Sequence, residues 1–196
     1  LLTARGHHLE RLDSQTISSR FPAWHDSFMD GFYSPVGGFV ESGRLITALI
    51  QHARTLGLTV AEGQTVSEFV QNGDTVIGVK TQSGEQCHAD TVIVAAGAWS
   101  MLLLPELAPM MKATGHPVFH LKPDNPALFS TPDFVVFTAD VARTGWYGFP
   151  LHPHEGVVKI ANHGIGQVLN ADRGERVVTA DDEQHLRTML QTTFPA

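Results

Sequence analysis

The chain has 196 residues, of which 42% are hydrophobic, and this is enough to build one or two domains with a hydrophobic core. It carries 13 Lys and Arg against 20 Asp and Glu, a formal net charge of −7, and no block of like charges, so neither nucleic-acid binding nor binding to an anionic membrane is indicated. We therefore expect its partner to be a small molecule.

The single cysteine, Cys87, has no partner for an internal disulfide, argues against a thiolate zinc site and favours a reducing, cytoplasmic location. The longest apolar run, residues 90–99, is far shorter than the roughly 20 residues that span a bilayer. No signal-peptide pattern opens the chain. Because the chain begins without a methionine and stops directly after a helical pattern, we interpret it as an internal segment of a longer protein.

The first elements are short, and a regular helix follows them. Residues 9–38 mix brief polar and apolar runs with repeated Pro and Gly, which predicts a short helix, loops and a strand. Ser42 then stands where an N-cap would, Leu45 and Leu49 belong to an apolar series with three- and four-residue intervals, and Gly57 supplies the C-terminal cap. This pattern predicts an amphipathic helix.

Strands are predicted directly after this helix. Residues 58–61 predict one strand, and residues 65–70 and 75–81, each followed by a turn, predict an antiparallel meander. Residues 91–96 form a continuous apolar run, which is typical of a strand covered on both faces.

The second half of the chain is expected to form an antiparallel or mixed sheet. Its short β-like runs lie between Pro, Asp, Asn and Gly, at residues 117–120, 134–138, 145–149 and 157–161. Thr179 or Asp181 then caps a final helix that carries Leu186, Met189 and Leu190 on one face.

The run at 91–96 ends in Gly97, which is followed by Ala98 and Trp99. A glycine at the end of a buried strand marks a place where the backbone approaches another group closely, often a cofactor. The same residues also suit a strand that enters a tight turn. From these residues alone both interpretations stay open.

Two motifs in the second half are more specific: Gly-Trp-Tyr-Gly-Phe-Pro at residues 145–150, and Lys-x-x-x-His from Lys159 to His163. With the preceding order of helix, strand, meander and apolar run ending in Ala-Ala-Gly, they resemble FAD-dependent oxidoreductases of the D-amino-acid oxidase superfamily. Within that group the chain is similar to monomeric sarcosine oxidase and to N-methyl and fructosyl amino acid oxidases. The resemblance covers most of the chain.

The resemblance implies a mixed fold, α+β and α/β, that forms part of a two-domain flavin oxidoreductase. Residues 37–112 would supply the helix, meander and closing strand of an FAD domain. Residues 1–36 and 113–196 would belong to the substrate domain, the second of these segments with a sheet and a C-terminal helix.

The resemblance also implies FAD as the cofactor and assigns residues to it. Val66 would contact the adenosine portion through its backbone. The residues that would line the flavin are Ala96, Gly97, Ala98 and Trp99.

For the catalytic site the resemblance implies three residues. Tyr147 would donate to the substrate carboxylate, Lys159 would promote reduction of O2 as a fixed cation beside developing negative charge, and His163 would lie beside flavin and substrate. Because side chains alternate along a strand, Lys159 and His163 are expected on one face. Trp146 and Phe149 are interpreted as packing residues.

Each of these residues also has an ordinary structural explanation. Lys159 suits a solvent-facing or edge strand, and Val66 suits a hydrophobic core. His163 is one of 11 histidines, a residue type that usually needs no special function. Other histidine pairs suggest a metal, but Pro117 and Pro153 prevent the helical spacing of common zinc motifs, so we expect no metal site.

The implied reaction is oxidation of a secondary amine or N-substituted amino acid by hydride transfer to FAD, with O2 as acceptor. The sequence has no Gly-x-Gly-x-x-Gly motif to hold the FAD pyrophosphate. The family places that motif upstream of Leu1 and the flavin-linking cysteine of sarcosine oxidases beyond Ala196, so we expect the chain alone to bind FAD weakly or not at all. Two alternatives stay open: a non-catalytic binding domain, and a flavin dehydrogenase with another acceptor.

Overall fold

A computed structural model describes residues 3–25 and 30–194, and within them the predicted mixed α/β fold is confirmed. The α-helices are α1 (Ser14–Arg20), α2 (Ser42–Thr55), α3 (Ser100–Leu103) and α4 (Ala180–Thr193). Short 3-10 helices lie at Thr3–Arg5, Gly97–Trp99, Pro105–Leu107 and Pro126–Phe129. The strands are β1 (Glu10–Asp13), β2 (Asp30–Tyr33), β3 (Val66–Asn72), β4 (Thr75–Thr81), β5 (Gln86–His88), β6 (Thr114–Gly115), β7 (Val118–Leu121), β8 (Phe137–Ala139), β9 (Trp146–Phe149), β10 (Val158–Asn162) and β11 (Gln167–Val168).

The chain divides into two compact units. The first consists of Leu1–Phe39, Gly115–Gln167 and Arg176–Ala196, and the second of Val40–Thr114 and Val168–Glu175. The first unit contains the antiparallel pair β1–β2 and a four-stranded antiparallel sheet in the order β7-β10-β9-β8. The second contains the antiparallel meander β3-β4-β5, and β6 pairs with β11 in a further two-stranded sheet.

The hydrophobic core of the first unit is largely aromatic. Phe134 is fully buried, and its ring lies 5.1 to 5.6 Å from those of Phe129, Phe137 and Phe194. Trp24 meets Phe137 and Phe194 edge-on, at 4.8 and 4.9 Å. Tilted and edge-to-face contacts are the favoured geometries for such rings. Burying each large apolar side chain contributes about 1.5–3 kcal/mol.

Helix α4 of the first unit begins at a capping box. The Thr179 hydroxyl accepts the backbone N–H of Asp182 at 3.1 Å, and the Asp182 carboxylate accepts the backbone N–H of Thr179 at 2.9 Å. Hydrogen bonds from Thr179 to this carboxylate lower the pKa of Asp182. Leu186 and Met189 are buried in the core, as the apolar pattern predicts. Of the two predicted caps, Thr179 is the one the helix uses.

In the second unit the predicted amphipathic helix and meander are confirmed as α2 and β3–β5. The predicted N-cap is wrong: Ser42 is the first helical residue, and the N-cap is Glu41, whose carboxylate lies 3.3 Å from Arg44 and does not cap the helix. Gly57 follows the helix with φ +84°, a conformation that glycine adopts at little cost.

Two predicted strands of the second unit do not form. Residues 58–61 and 91–96 are irregular, and 91–96 alternate between exposed and half-buried positions, with Ile93 84% exposed. A strand exists only through hydrogen bonds to a neighbouring strand. Among the described residues no strand runs beside either segment, so the apolar pattern alone does not produce one.

The N-terminal part holds the expected short helix and strand, α1 and β2, and in addition β1, which the sequence pattern did not predict. Asp13, the last residue of β1, caps α1 by accepting the backbone N–H of Thr16 at 2.8 Å. Leu12, Ile17 and Phe21 bury together as a small second core.

Candidate functional site

The four-stranded sheet of the first unit presents two faces that differ in character. Strand β10 pairs with β9 so that Lys159 lies opposite Phe149 and Ile160 opposite Gly148. Since directly paired residues of antiparallel strands point to the same side, and successive residues to opposite sides, the register assigns each side chain to a face. We call these the packed face and the open face.

The packed face covers the aromatic core. It carries Phe137, Trp146, Gly148, Val158 and Ile160, all of which are buried. The prediction that Trp146 is a packing residue is therefore confirmed.

Gly148 of the Tyr-Gly-Phe motif has a packing reason to be glycine. A Cβ at this position would lie 2.6 Å from the Phe137 ring and 3.0 Å from the Lys159 carbonyl oxygen. Real Cβ atoms essentially never approach another heavy atom to 2.6 Å, and 3.0 Å is also unusually close, so a larger residue would displace the Phe137 ring or the neighbouring strand. The glycine of this motif thus allows the Phe137 ring to pack closely against the sheet.

The open face carries Tyr147, Phe149 and Lys159, all half-buried. The Lys159 ammonium lies 5.1 Å from the centre of the Phe149 ring, and the Tyr147 and Phe149 rings meet edge-on at 6.0 Å. Phe39 also packs against Phe149, with 5.5 Å between ring centres. Phe149 is therefore a packing residue, as expected, and its ring in addition contacts the Lys159 cation.

His163 lies just beyond β10 and on the same side as Lys159, as the alternation predicts. Its backbone N–H donates to the carbonyl of Gly145 at 2.7 Å. Its ring lies 6.4 Å from the Tyr147 ring, nearly perpendicular to it, and 5.9 Å from the His116 ring, nearly parallel to it. The structure therefore brings Tyr147, Lys159 and His163 to one face, with His116 as a neighbour that sequence reasoning did not identify.

The open face carries no carboxylate among the described residues. The other side chains that the register assigns to it are Val118, His120, Thr138 and Ala161. Lys159 makes no ion pair within the described part of the chain. A half-buried cation without a neutralising partner, next to aromatic rings, suits an electron-rich or anionic planar group.

The residues predicted to contact FAD all lie in the second unit. Val66 is the half-buried first residue of β3, paired with Thr81. Ala96 caps the 3-10 helix Gly97–Trp99, and Gly97 has φ +54° with open space where a Cβ would stand. Ala98 is exposed, and Trp99 is 47% exposed.

The turn at residues 96–99 has the small residues that a flavin-binding turn needs. Gly97 and its two alanine neighbours carry almost no side chain, so a planar ligand can approach the backbone closely. A glycine at positive φ is what such a turn requires. Ala96, Gly97 and Ala98 would hold the cofactor through their backbone, and Trp99 through its ring.

A cavity of about 1080 Å³ opens elsewhere in the first unit, between the edge of the packed face and α4. Asn162, Trp146, His185, Thr188 and His116 are among its lining residues. Tyr147, Lys159 and His163 do not line it. This cavity and the three predicted catalytic residues are therefore separate features of the first unit.

Residues 3–25 and 30–194 contain no helix that is both long and apolar enough to cross a membrane. The same residues contain no group of three or more His, Cys, Asp or Glu side chains arranged to hold a metal ion.

Comparison with known proteins gives a consistent result. The whole chain, residues 1–196, matches the sequence family described as "FAD dependent oxidoreductase" (DAO). The chain is 29% identical over 197 residues to N-methyl-L-tryptophan oxidase of Salmonella newport, which covers 96% of this chain and 50% of that protein.

Solved structures share the fold. Fructosyl amine:oxygen oxidoreductase (Amadoriase I) of Aspergillus fumigatus superposes with a TM-score of 0.73 at 15% identity, over 96% of this chain and 47% of that one. L-proline dehydrogenase of P. horikoshii superposes with a TM-score of 0.72 at 16% identity, over 98% of this chain and 50% of that one. The chain thus spans about half the length of each of these three proteins.

Proposed function

Because this chain belongs to the family of FAD-dependent oxidoreductases, we propose that the whole protein oxidises a secondary amine or N-substituted amino acid, with FAD as hydride acceptor and O2 as final electron acceptor. The observation that carries the proposal is the open face, where a phenol, an ammonium and an imidazole share one side of a sheet. FAD, when bound, supplies the redox chemistry, and the side chains supply position and charge.

In this proposal the two units have different tasks. The second unit contributes Val66 and the Ala96–Trp99 turn to the flavin site, and the first contributes the open face to the substrate site. The relatives named above as oxidases of an N-methyl amino acid and of a fructosyl amine support a substrate with a substituted amino group.

Tyr147 orients the substrate. Its phenol donates a hydrogen bond to the substrate carboxylate, and its ring keeps water from that side of the site. Removing only the hydroxyl in Tyr147→Phe is expected to raise KM about 10-fold with a smaller change in kcat, because a hydrogen bond to a charged group is lost. Tyr33→Phe is the matched control, since Tyr33 lies in β2 with its ring against Arg20, and it is expected to leave KM unchanged.

Lys159 is proposed to activate oxygen. Its ammonium lies over Phe149 and pairs with no carboxylate of residues 3–25 and 30–194, so its charge remains available to stabilise negative charge that develops on O2. His163 is proposed to lie at the flavin and the substrate, where its imidazole can donate or accept a hydrogen bond.

One experiment on the whole purified protein tests the proposal. Anaerobic mixing with N-methyl, glycated and cyclic amino acids in turn is expected to bleach the flavin absorbance for at least one class, and admitting O2 is expected to restore it rapidly. Absence of flavin from the whole protein would contradict the proposal and favour a binding domain without catalysis.

A dehydrogenase is the second candidate, because the superposition on a protein named L-proline dehydrogenase shows that this fold also serves that activity. In that case substrate would reduce the flavin as before, and O2 would restore its absorbance only slowly. An artificial electron acceptor would then restore it much faster than O2.

A further inference from the structure

His163 depends on neighbouring rings for its orientation. Within the described residues its imidazole makes no hydrogen bond or ion pair, and its only fixed polar contact is the backbone N–H donated to Gly145. His163 is exposed, with the Tyr147 ring edge-on at 6.4 Å and the His116 ring stacked at 5.9 Å and 18°. Of these two neighbours, His116 is the one whose ring is nearly parallel to that of His163.

His116 is itself firmly held. It is half-buried and stands between Gly115 of β6 and Pro117, whose ring restricts the backbone on that side. A Cβ on Gly166 would lie 2.8 Å from both Cε1 and Nε2 of His116, so the imidazole lies close to a backbone position that only glycine leaves open. Gly166 also has φ +70°, which a larger residue rarely adopts.

We infer that His116 is a positioning residue that holds the His163 imidazole in its working orientation on the open face. The inference rests on the role proposed above for His163. Stacking requires a flat ring and not specifically an imidazole, so a phenylalanine at position 116 is expected to preserve the function. A displaced ring near the reacting atoms costs up to about 100-fold in rate, which gives the scale of the effect.

The test compares His116→Ala, His116→Phe and His163→Ala in the whole flavin-loaded protein, with His88→Ala as control. His88 is an exposed histidine of β5, in the second unit. His116→Ala is expected to slow anaerobic flavin reduction by about 10- to 100-fold, towards the rate of His163→Ala. His116→Phe and His88→Ala are expected to stay near the wild-type rate. Combining His116→Ala with His163→Ala is expected to add no further loss.

A second readout does not depend on turnover. In protein labelled with ¹⁵N-histidine, the His163 ring signals, identified by their loss in His163→Ala, are expected to be sharp in the wild type and in His116→Phe. In His116→Ala they are expected to broaden as the ring samples several rotamers.

The outcomes separate the two proposals. Wild-type rates and sharp His163 signals in His116→Ala would overturn the positioning role, as would equal damage from His116→Phe and His116→Ala. If His163→Ala itself leaves flavin reduction unchanged, the proposed role of His163 fails, and the ring signals in His116→Ala still decide whether His116 orients that ring.

Discussion

The two units bury their apolar residues very differently. The first encloses a core of packed rings around Phe134, whereas in the second only Gly78 and Thr81 are buried among the residues described. In α2 of the second unit, Leu45 and Leu49 remain 41% and 52% exposed although their spacing marks an apolar face. An apolar pattern therefore predicts where a segment can pack, and burial needs a second surface to cover it.

The largest expected difference in stability is between an alanine substitution in the core of the first unit and one in α2 of the second. Phe134→Ala removes a fully buried ring and is expected to destabilise the first unit by about 3–5 kcal/mol. Leu49→Ala removes a half-exposed side chain of α2 and is expected to cost less than about 1 kcal/mol. Urea unfolding of the purified chain measures both values, and equal losses would show that α2 is packed as tightly as the aromatic core.

Two glycine-to-alanine substitutions, one in each unit, are expected to change stability by intermediate amounts and in opposite directions. Gly148→Ala is expected to destabilise by about 1–3 kcal/mol because its Cβ overlaps the Phe137 ring. Gly43→Ala, in α2 with open space around it, is expected to stabilise by about 0.5–1 kcal/mol through helix propensity. Thermal unfolding followed by circular dichroism reports both, and a stabilising Gly148→Ala would refute the packing explanation of the motif.

The smallest expected losses of stability come from substitutions at the N-caps of α4 and α2. Thr179→Ala breaks the capping box of α4 and is expected to cost about 1 kcal/mol at neutral pH. Glu41→Ala at α2 is expected to cost less than about 0.5 kcal/mol, since Glu41 makes no side-chain cap bond and its pair with Arg44 is exposed.

The pH dependence of the α4 cap has a definite sign. The pKa of Asp182 is lowered in the folded chain by hydrogen bonds from Thr179. The stability that the Asp182 carboxylate contributes to the folded chain is therefore complete above the ordinary carboxyl pKa of 3.8. It is lost as the pH falls through the lower pKa of the folded chain. The difference in free energy of unfolding between wild type and Thr179→Ala, measured in urea, should accordingly become smaller in acid. A difference that grows in acid would contradict the proposed role of the cap.

Local patterns were sufficient to predict much of the fold. The spacing of apolar residues with Gly57 after them identified α2, and the turns identified β3 and β4. The runs in the second half identified β7, β9 and β10 within one residue and β8 with its start three residues early. Residues 58–61 and 91–96 were predicted wrongly as strands, because strand formation depends on partners that local sequence does not reveal.

For the candidate site, alternation along β10 was enough to place Lys159 and His163 on one face. The packing role of Phe149 was predicted, but its contact with Lys159 was not, because that contact depends on the register between β9 and β10. His116 lies 47 positions before His163 in the sequence, and no local pattern connects the two rings. The roles of Val66 and Ala96 to Trp99 stay predictions from the family resemblance.

The central claim is that the Lys159 cation on the open face serves the reaction with oxygen, and stopped-flow kinetics of Lys159→Met test it most directly. Lys80→Met is the matched control, because Lys80 lies in β4 of the second unit and pairs with Glu68 at 2.7 Å. In the whole protein, Lys159→Met is expected to slow flavin reoxidation by about 100- to 1,000-fold while substrate-driven reduction changes little. Equal slowing of both half-reactions, or no difference from Lys80→Met, would contradict the account.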